Sequence, residues 1–294
     1  MNKVLCSIVT YNRLSCLRKC ISCLKKQSYK SFDILVINNG CEDGTQEWLA
    51  TQKSLFYINQ YPNIGCAGGV YLGMQYAYTK GYDWIWLMDD DGEPEANQLK
   101  ELLAGANNND LLFVNSLVCD IANPHSLAFG LNIDGGKITS VAEAERYDII
   151  SSDANPWNGT LISKRVIEQI GFVKKEMMLW GEEVEYSSRA KAAGIPVCTI
   201  TKAIHYHPKA RNHYERVFPF SESYLVQIPN KERQAIVFRN MGYNRRYGRK
   251  RGTIYLILLY IIYYSLRFNF IGLYHFIKYF RQGLKDKYPK VKDE

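Results

Sequence analysis

Apolar runs alternate with helix-period segments over most of the chain. VLCSIVTYNR begins as a buried strand and closes in polar residues. LSCLRKCISCLKKQSY then places apolar residues at 14, 17, 21 and 24, the spacing of an amphipathic helix. FDILVINNGCEDGT reads as a second strand ending in turn formers, and TQEWLATQ as a short helix. LFYINQ is a third strand, NIGCAGGV a loosely glycine-rich turn, YLGMQYAYTKG a helix and YDWIWLMDDD a fourth strand. This is the βαβ pattern of a parallel sheet, which gathers functional residues at the carboxyl ends of the strands. A helix is expected over about 95–104, then a strand in LLFVNSLVCD. Residues 120–155 read as loop-rich. NGTLISKRVIEQIG reads as a turn followed by a helix, EEVEYSSRAKAAG as a helix from about Glu183, and PVCTITKAIHYHP as a late strand. The expectation is one α/β domain over 1–230 and a basic helical tail over 231–294.

The fourth strand ends in Asp89, Asp90 and Asp91. Three ionised carboxylates this close repel one another and raise each other's pKa values. A divalent cation relieves that cost, and hard oxygen ligands suit Mg²⁺ or Mn²⁺. Strand alternation puts Asp89 and Asp91 on one side. A solvated, helix-capping loop is the plainer alternative, but acids of that kind rarely follow so apolar a strand. The chemistry alone allows phosphoryl transfer, glycosyl transfer or hydrolysis. The ends of the first two strands, Thr10–Arg13 and Asn38–Asp43, belong to the same edge. Asn38 and Asn39 can hydrogen-bond a base or ribose, or close an Asx turn.

Charge changes the picture at one end of the chain only. The net +8 divides into 15 Lys/Arg against 4 Asp/Glu over 231–294, and 22 against 25 over 1–230. A slightly acidic body argues against a nucleic-acid-binding module, whose positive charge spreads over the folded domain. Neither GxxxxGK[ST] nor GxGxxG occurs, which argues against a P-loop enzyme. A sugar-phosphate nucleotidyltransferase needs a glycine-rich basic loop near the amino terminus, which SIVTYNRLSC does not offer. The eight cysteines include one CxxC spacing, Cys20 and Cys23, with no second pair to complete a ligand set, and read as reduced and structural. MNKVLCSIVTYNR has no long apolar run, so no secretory signal is expected there.

Taken in order, SIVTYNR, ILVINNGCEDGTQ, NIGCAGG, WIWLMDDD and LWGEEVEYSSRAKAAG resemble the inverting glycosyltransferases of family 2, over about residues 3–210. Within that family the NxGxAGG and WIWLMDDD segments look most like the galactofuranosyl- and rhamnosyltransferase-like branch. The resemblance implies a GT-A fold, a Rossmann-like mixed but mostly parallel sheet flanked by helices. It implies a nucleotide-sugar donor, with UDP-galactofuranose favoured, dTDP-rhamnose next, and UDP-galactose or UDP-glucose as further alternatives. Thr10, Tyr11, Asn12 and Arg13 match the strand-one donor motif. Asn38 falls where the family carries an acid against the base, and Asn63 and Gly65 lie beside the nucleotide. Asp89 and Asp91 match the metal motif, with Asp90 facing the ribose or supporting the turn. Bacterial surface polysaccharides are the family branch's products.

Inversion requires a base on the face opposite the leaving diphosphate. The resemblance places it at Glu183, with Glu182 as runner-up and Glu185 as a helix-surface acid. The family's usual residue at the Glu183 position is Asp. A helix N-terminus there lowers a carboxyl pKa. His207, after Tyr206, is the expected third metal ligand, with His205 left open. Trp180 reads as a sugar platform or as core, and Asp120 and Trp157 as lining of the acceptor cleft. In the tail, TIYLILLYIIYYSL is shorter than the roughly 20 residues a bilayer span needs. The tail is expected to hold two amphipathic or semi-buried helices lying on an anionic membrane face, with a helical packing module or homo-oligomer interface as the alternative. A lipid-linked or oligosaccharide acceptor and a peripheral place on the cytoplasmic face of the bacterial inner membrane fit that reading.

Overall fold

β1 (Val4–Thr10) and β4 (Trp84–Asp89) are buried at almost every position, and that is why each reads as an unbroken apolar run. Along β4, Trp84, Trp86 and Met88 pack into one core, while Ile85 and Leu87 pack into another. Helices cover both faces of the sheet, so alternation along the strand buries every side chain. The computed structural model describes residues 3–133, 136–151, 153–209, 214–247 and 250–289. It divides into two compact units, Met1–Lys175 with Tyr186–Ala210, and Glu176–Glu185 with Arg211–Glu294. These units differ from the division at residue 230 read from the sequence.

In the first unit the chain runs β1, α1 (Leu14–Lys25), β2 (Phe32–Asn38), α2 (Thr45–Ala50), β3 (Phe56–Asn59), α3 (Gly65–Thr79) and β4. Then follow β5 (Glu93–Pro94), α4 (Gln98–Asn108), β6 (Phe113–Asp120), β7 (Asn123–Ile133), β8 (Gly136–Ser140), α5 (Val141–Ala144), β9 (Ile149–Ile150), β10 (Asn158–Ser163), α6 (Lys164–Ile170), α7 (Glu182–Ala192) and β11 (Cys198–His207). The first turn of α7 falls in the second unit. The sheet order is β3-β2-β1-β4-β10-β6-β11-β5. β1, β2, β3 and β4 are mutually parallel, as are β6 and β11, while β10 runs antiparallel between β4 and β6. This is the mixed, mostly parallel α/β sheet of the GT-A fold. No disulfide forms among the described residues.

Three local expectations are corrected. NGTLIS is the fully buried central strand β10, not a turn. Its polar residues look like turn formers in sequence, but Thr160 donates to Asn115 Oδ1 at 2.5 Å on the neighbouring strand. Residues 120–155 are not mostly loop, because β7 and β8 form an antiparallel pair with one largely exposed face. NIGCAGGV is the start of α3 more than a turn. A Cβ on Gly69 would sit 2.5 Å from Val9 Cγ1, so this glycine lets the helix lie close against β1.

In the second unit β12 (Tyr214–Arg216) pairs with β13 (Leu225–Gln227), and α8 (Gln234–Asn244), α9 (Lys250–Leu266) and α10 (Phe270–Leu284) follow. Phe238, Tyr260, Tyr264, Phe276 and Phe280 form its core. The Tyr260 and Phe276 rings stack 4.3 Å apart and tie α9 to α10.

Candidate active site

Strand register brings the acids and their partners to one edge. Val9 lies opposite Asp89, and Thr10 opposite Asn38. After Asp89 the chain turns and re-enters the sheet as β5, where Glu93 and Pro94 pair with Tyr206 and His205. That two-residue strand pins the aspartate turn beside the end of β11. His207 Nε2 accordingly lies 3.1 Å from Asp91 Oδ1. One ligand atom each from Asp89, Asp91 and His207 falls within 4.8 Å of the other two. Two carboxylate oxygens and an imidazole nitrogen suit a Mn²⁺ or Mg²⁺ ion.

Arg13, just before α1, supplies the positive charge in this corner. Its guanidinium lies 2.7 Å from Asp91 Oδ2 and 3.3 Å from Asp90 Oδ1. Asp90 is buried and accepts from Thr10 Oγ1 at 2.7 Å. It therefore holds Thr10 and Arg13 in place. Burial, reinforced by the Asp91 charge, pushes Asp89 up to about 7. Burial pushes Asp90 up to about 6, against the hydrogen bond from Thr10 and the charge of Arg13. Burial also acts on Asp91, yet His207 and Arg13 outweigh it and hold this carboxyl below its ordinary value. Burial opposes protonation of His207, but its contact with Asp91 wins and raises its pKa. The acids thus differ sharply although they are adjacent in sequence.

The second histidine has a different role. His205 is fully buried, and its Nδ1 lies 3.2 Å from Gln98 Nε2 and 3.3 Å from Gln98 Oε1. Its Nε2 abuts Gly92 in the aspartate turn and has no hydrogen-bond partner. Burial lowers its pKa to about 3, so it is a neutral packing element behind the site.

Asn38, Asn39, Asn63 and Gly65 form a hydrogen-bonded corner beside the acids. Asn38 is buried, donates to Asn59 Oδ1 at 2.8 Å and accepts from Cys41 N at 3.2 Å. Asn38 is thus engaged within the protein, its amide joining β2 to β3 and its Oδ1 closing the turn at Cys41. Asn39 accepts from Ile64 N and donates to Gly65 O, tying β2 to the start of α3. Asn63 Oδ1 accepts from Gly65 N at 2.7 Å. Asn12 adopts φ +52° and accepts from Glu42 N at 2.7 Å, while Tyr11 is half exposed. Trp157 is not a cleft residue: it is buried in the core against Tyr186. Asp120 is buried as well and accepts from Ala122 N, closing a turn.

Glu182 and Glu183 open α7 in the second unit. Glu183 Oε2 accepts from Gly181 N at 2.8 Å, and burial raises its pKa. The lowering expected from a helix N-terminus is corrected, because desolvation outweighs the terminal N–H groups. Glu185 is buried, not on the helix surface, and accepts from Tyr247 Oη at 3.2 Å. The Arg233 guanidinium lies 4.8 Å from the Trp180 ring, so that face is already covered.

The segment before Glu182 has left-handed residues at Met178, Trp180 and Gly181. α8 holds it in place. Asn240 Nδ2 contacts the carbonyls of Met177, Leu179 and Trp180 at 2.8, 2.9 and 2.8 Å, and Asn244 Nδ2 contacts that of Gly181 at 2.9 Å. Sequence reasoning missed both asparagines. The available signal was two amides four apart in a helix with buried Val237 and Phe238.

Comparison with known proteins bears on this arrangement. The family model described as Glycosyl transferase family 2 matches residues 6–126. Galactofuranosyltransferase GlfT1 of Mycolicibacterium smegmatis is 29% identical over 251 residues, covering 82% of each chain. Galactofuranosyltransferase GlfT1 of Mycobacterium tuberculosis is 30% identical over 244 residues, covering 80% of each chain. Among solved structures, GalNAc-T7 with UDP, GalNAc and Mn²⁺ superposes with a TM-score of 0.57 at 15% identity, covering 71% of this chain and 44% of that one.

Proposed function

The chain belongs to glycosyltransferase family 2, and from that premise we propose that it transfers a hexosyl unit, with inversion, to a hydroxyl of a lipid-linked or oligosaccharide acceptor. The donor is a nucleotide-diphosphate sugar, UDP-galactofuranose in the first place, and the product a bacterial surface glycan. The similarity to two galactofuranosyltransferases along four fifths of their length supports that donor. The single observation that carries the site is the convergence of Asp89, Asp91 and His207 at the strand ends.

In this reading Asp89, Asp91 and His207 hold a divalent cation. When bound, it neutralises charge on the departing diphosphate. Arg13 lies at hydrogen-bonding distance from two of the acids and can turn from them toward the diphosphate. Thr10 and Asp90 keep that side chain at the rim. The corner of Asn38, Asn39, Asn63 and Gly65 shapes the backbone against which the nucleotide rests. Glu183 takes the proton of the acceptor hydroxyl as its oxygen attacks the anomeric carbon, with Glu182 as the alternative base. A carboxyl with a raised pKa is well suited to this task near neutrality.

The test offers the purified protein a panel of nucleotide sugars with Mn²⁺ and follows release of nucleoside diphosphate. Release of UDP from UDP-galactofuranose, dependent on an acceptor, is expected. Turnover of dTDP-rhamnose alone moves the assignment to a rhamnosyltransferase. Failure with every donor overturns the reading.

A further inference from the structure

The α9–α10 hairpin carries two apolar faces, and the unit's own core uses only one. Tyr260, Tyr263, Phe276 and Phe280 point inward. On the opposite side Ile254 and Leu258 of α9 are exposed, and around the hairpin turn so are Phe268, Phe270, Ile271 and Tyr274. Phe268 is 82% exposed and Ile271 74%. A helix that is apolar all round is normally enclosed. Exposure of Phe268, Phe270, Ile271 and Tyr274 together around one turn marks a contact site rather than scattered exposure.

Charge identifies what covers it. From Arg233 to Lys285 the sequence contains eleven Lys/Arg and no Asp or Glu. Lys278 and Arg281 are exposed on α10, one and two turns beyond Tyr274. Among the described residues no helix is long and apolar enough to cross a membrane. We propose that this hairpin face docks on an anionic lipid bilayer, with Phe268, Phe270 and Ile271 in the acyl boundary and Lys278 and Arg281 among the headgroups. An interfacial helix needs this pairing of bulky apolar side chains with flanking cations. A second copy of the chain is the less favourable occupant, because a twofold contact sets the exposed Lys278 and Arg281 against copies of themselves. The docking does not rest on the donor, acceptor or base assigned above.

The experiment mixes the full-length protein with vesicles of phosphatidylcholine, with and without phosphatidylglycerol, and measures sedimentation and light scattering. Ile271→Glu and the pair Lys278→Glu/Arg281→Glu are compared with the parent, with thermal melts to establish that each folds. The parent is expected to sediment with the anionic vesicles, and less so as salt is added. Ile271→Glu should lose most of that binding, and the charge pair should weaken it by about tenfold or more. Release of nucleoside diphosphate in the absence of vesicles should stay unchanged in both variants, which separates a failure of docking from a failure of the enzymatic reading. Three results overturn the proposal: no sedimentation with anionic vesicles, equal binding by the folded variants, or a dimer that Ile271→Glu dissociates with no lipid bound.

Discussion

The Arg13 guanidinium lies 2.7 Å from Asp91, so the protein supplies its own cation where it is proposed to hold a metal ion. The two positive charges compete for one carboxylate. Removing Arg13 therefore relieves a repulsion felt by the incoming ion, while taking away a group proposed to meet the diphosphate. Arg13→Met should tighten Mn²⁺ binding without donor by about fivefold to tenfold. It should weaken donor binding in the presence of Mn²⁺. Titrations with and without nucleoside diphosphate check the two signs; weaker metal binding alone contradicts the competition.

Asp91 contacts both Arg13 and His207, so its loss disables the site from two sides. Asp91→Asn should abolish Mn²⁺ binding and lower turnover by about a hundredfold or more. The fold should survive, because asparagine keeps the shape of the side chain and Arg13 keeps its contact with Asp90. A metal titration beside a thermal melt tests this, and normal metal-dependent turnover rejects the site.

Metal-free stability should depend on pH in a defined direction. Asp89 titrates near 7 in the folded chain, far above the ordinary carboxylate value of about 4. His207 is raised too. Between about pH 6.5 and 7.5 the folded chain holds protons that the unfolded chain has lost, so stability falls as pH rises. His205, with its lowered pKa, acts oppositely, but only at more acidic pH. Asp91, also lowered, loses its contribution only as pH falls through the carboxylate range. Melting in chelator should show the decline, and Asp89→Asn should flatten it. A rising melting temperature over that window contradicts the assignment.

Glu183→Gln keeps the shape of the α7 start but cannot accept a proton. Donor binding should persist while turnover falls by about a thousandfold. In the parent, turnover should decline on acidification at a higher pH than an ordinary glutamate gives, because burial raises this carboxyl. Binding measurements and a pH–rate profile read the two effects separately. Unchanged turnover moves the base elsewhere, with Glu182 next.

Asn240 shares one amide among three carbonyls of the segment before Glu182. Asn240→Leu leaves those buried acceptors without that donor and should cost about 3 kcal/mol of stability. It should also lower turnover more than donor affinity, since the segment leads into Glu183. Denaturant unfolding and the split between kcat and KM provide the check.

The sequence by itself determined the strands whose burial is two-sided and the edge they share. β1 and β4 are continuous apolar runs, each closing on polar residues, and an apolar run followed by three acids is hard to place anywhere but a strand end. The family followed from the order of five such segments. The sequence did not decide NGTLIS, because its asparagine, glycine and threonine look like a turn until Asn115 on another strand satisfies Thr160. It did not separate His205 from His207, two residues on one face of a strand, until β5 and Gln98 enclosed the first. It misjudged Glu183, whose local helix terminus lowers a pKa while the surrounding protein raises it. Local pattern reports periodicity and chemistry within a few residues. Burial, pairing and desolvation are sums over neighbours distant in the chain, and only the folded structure performs them.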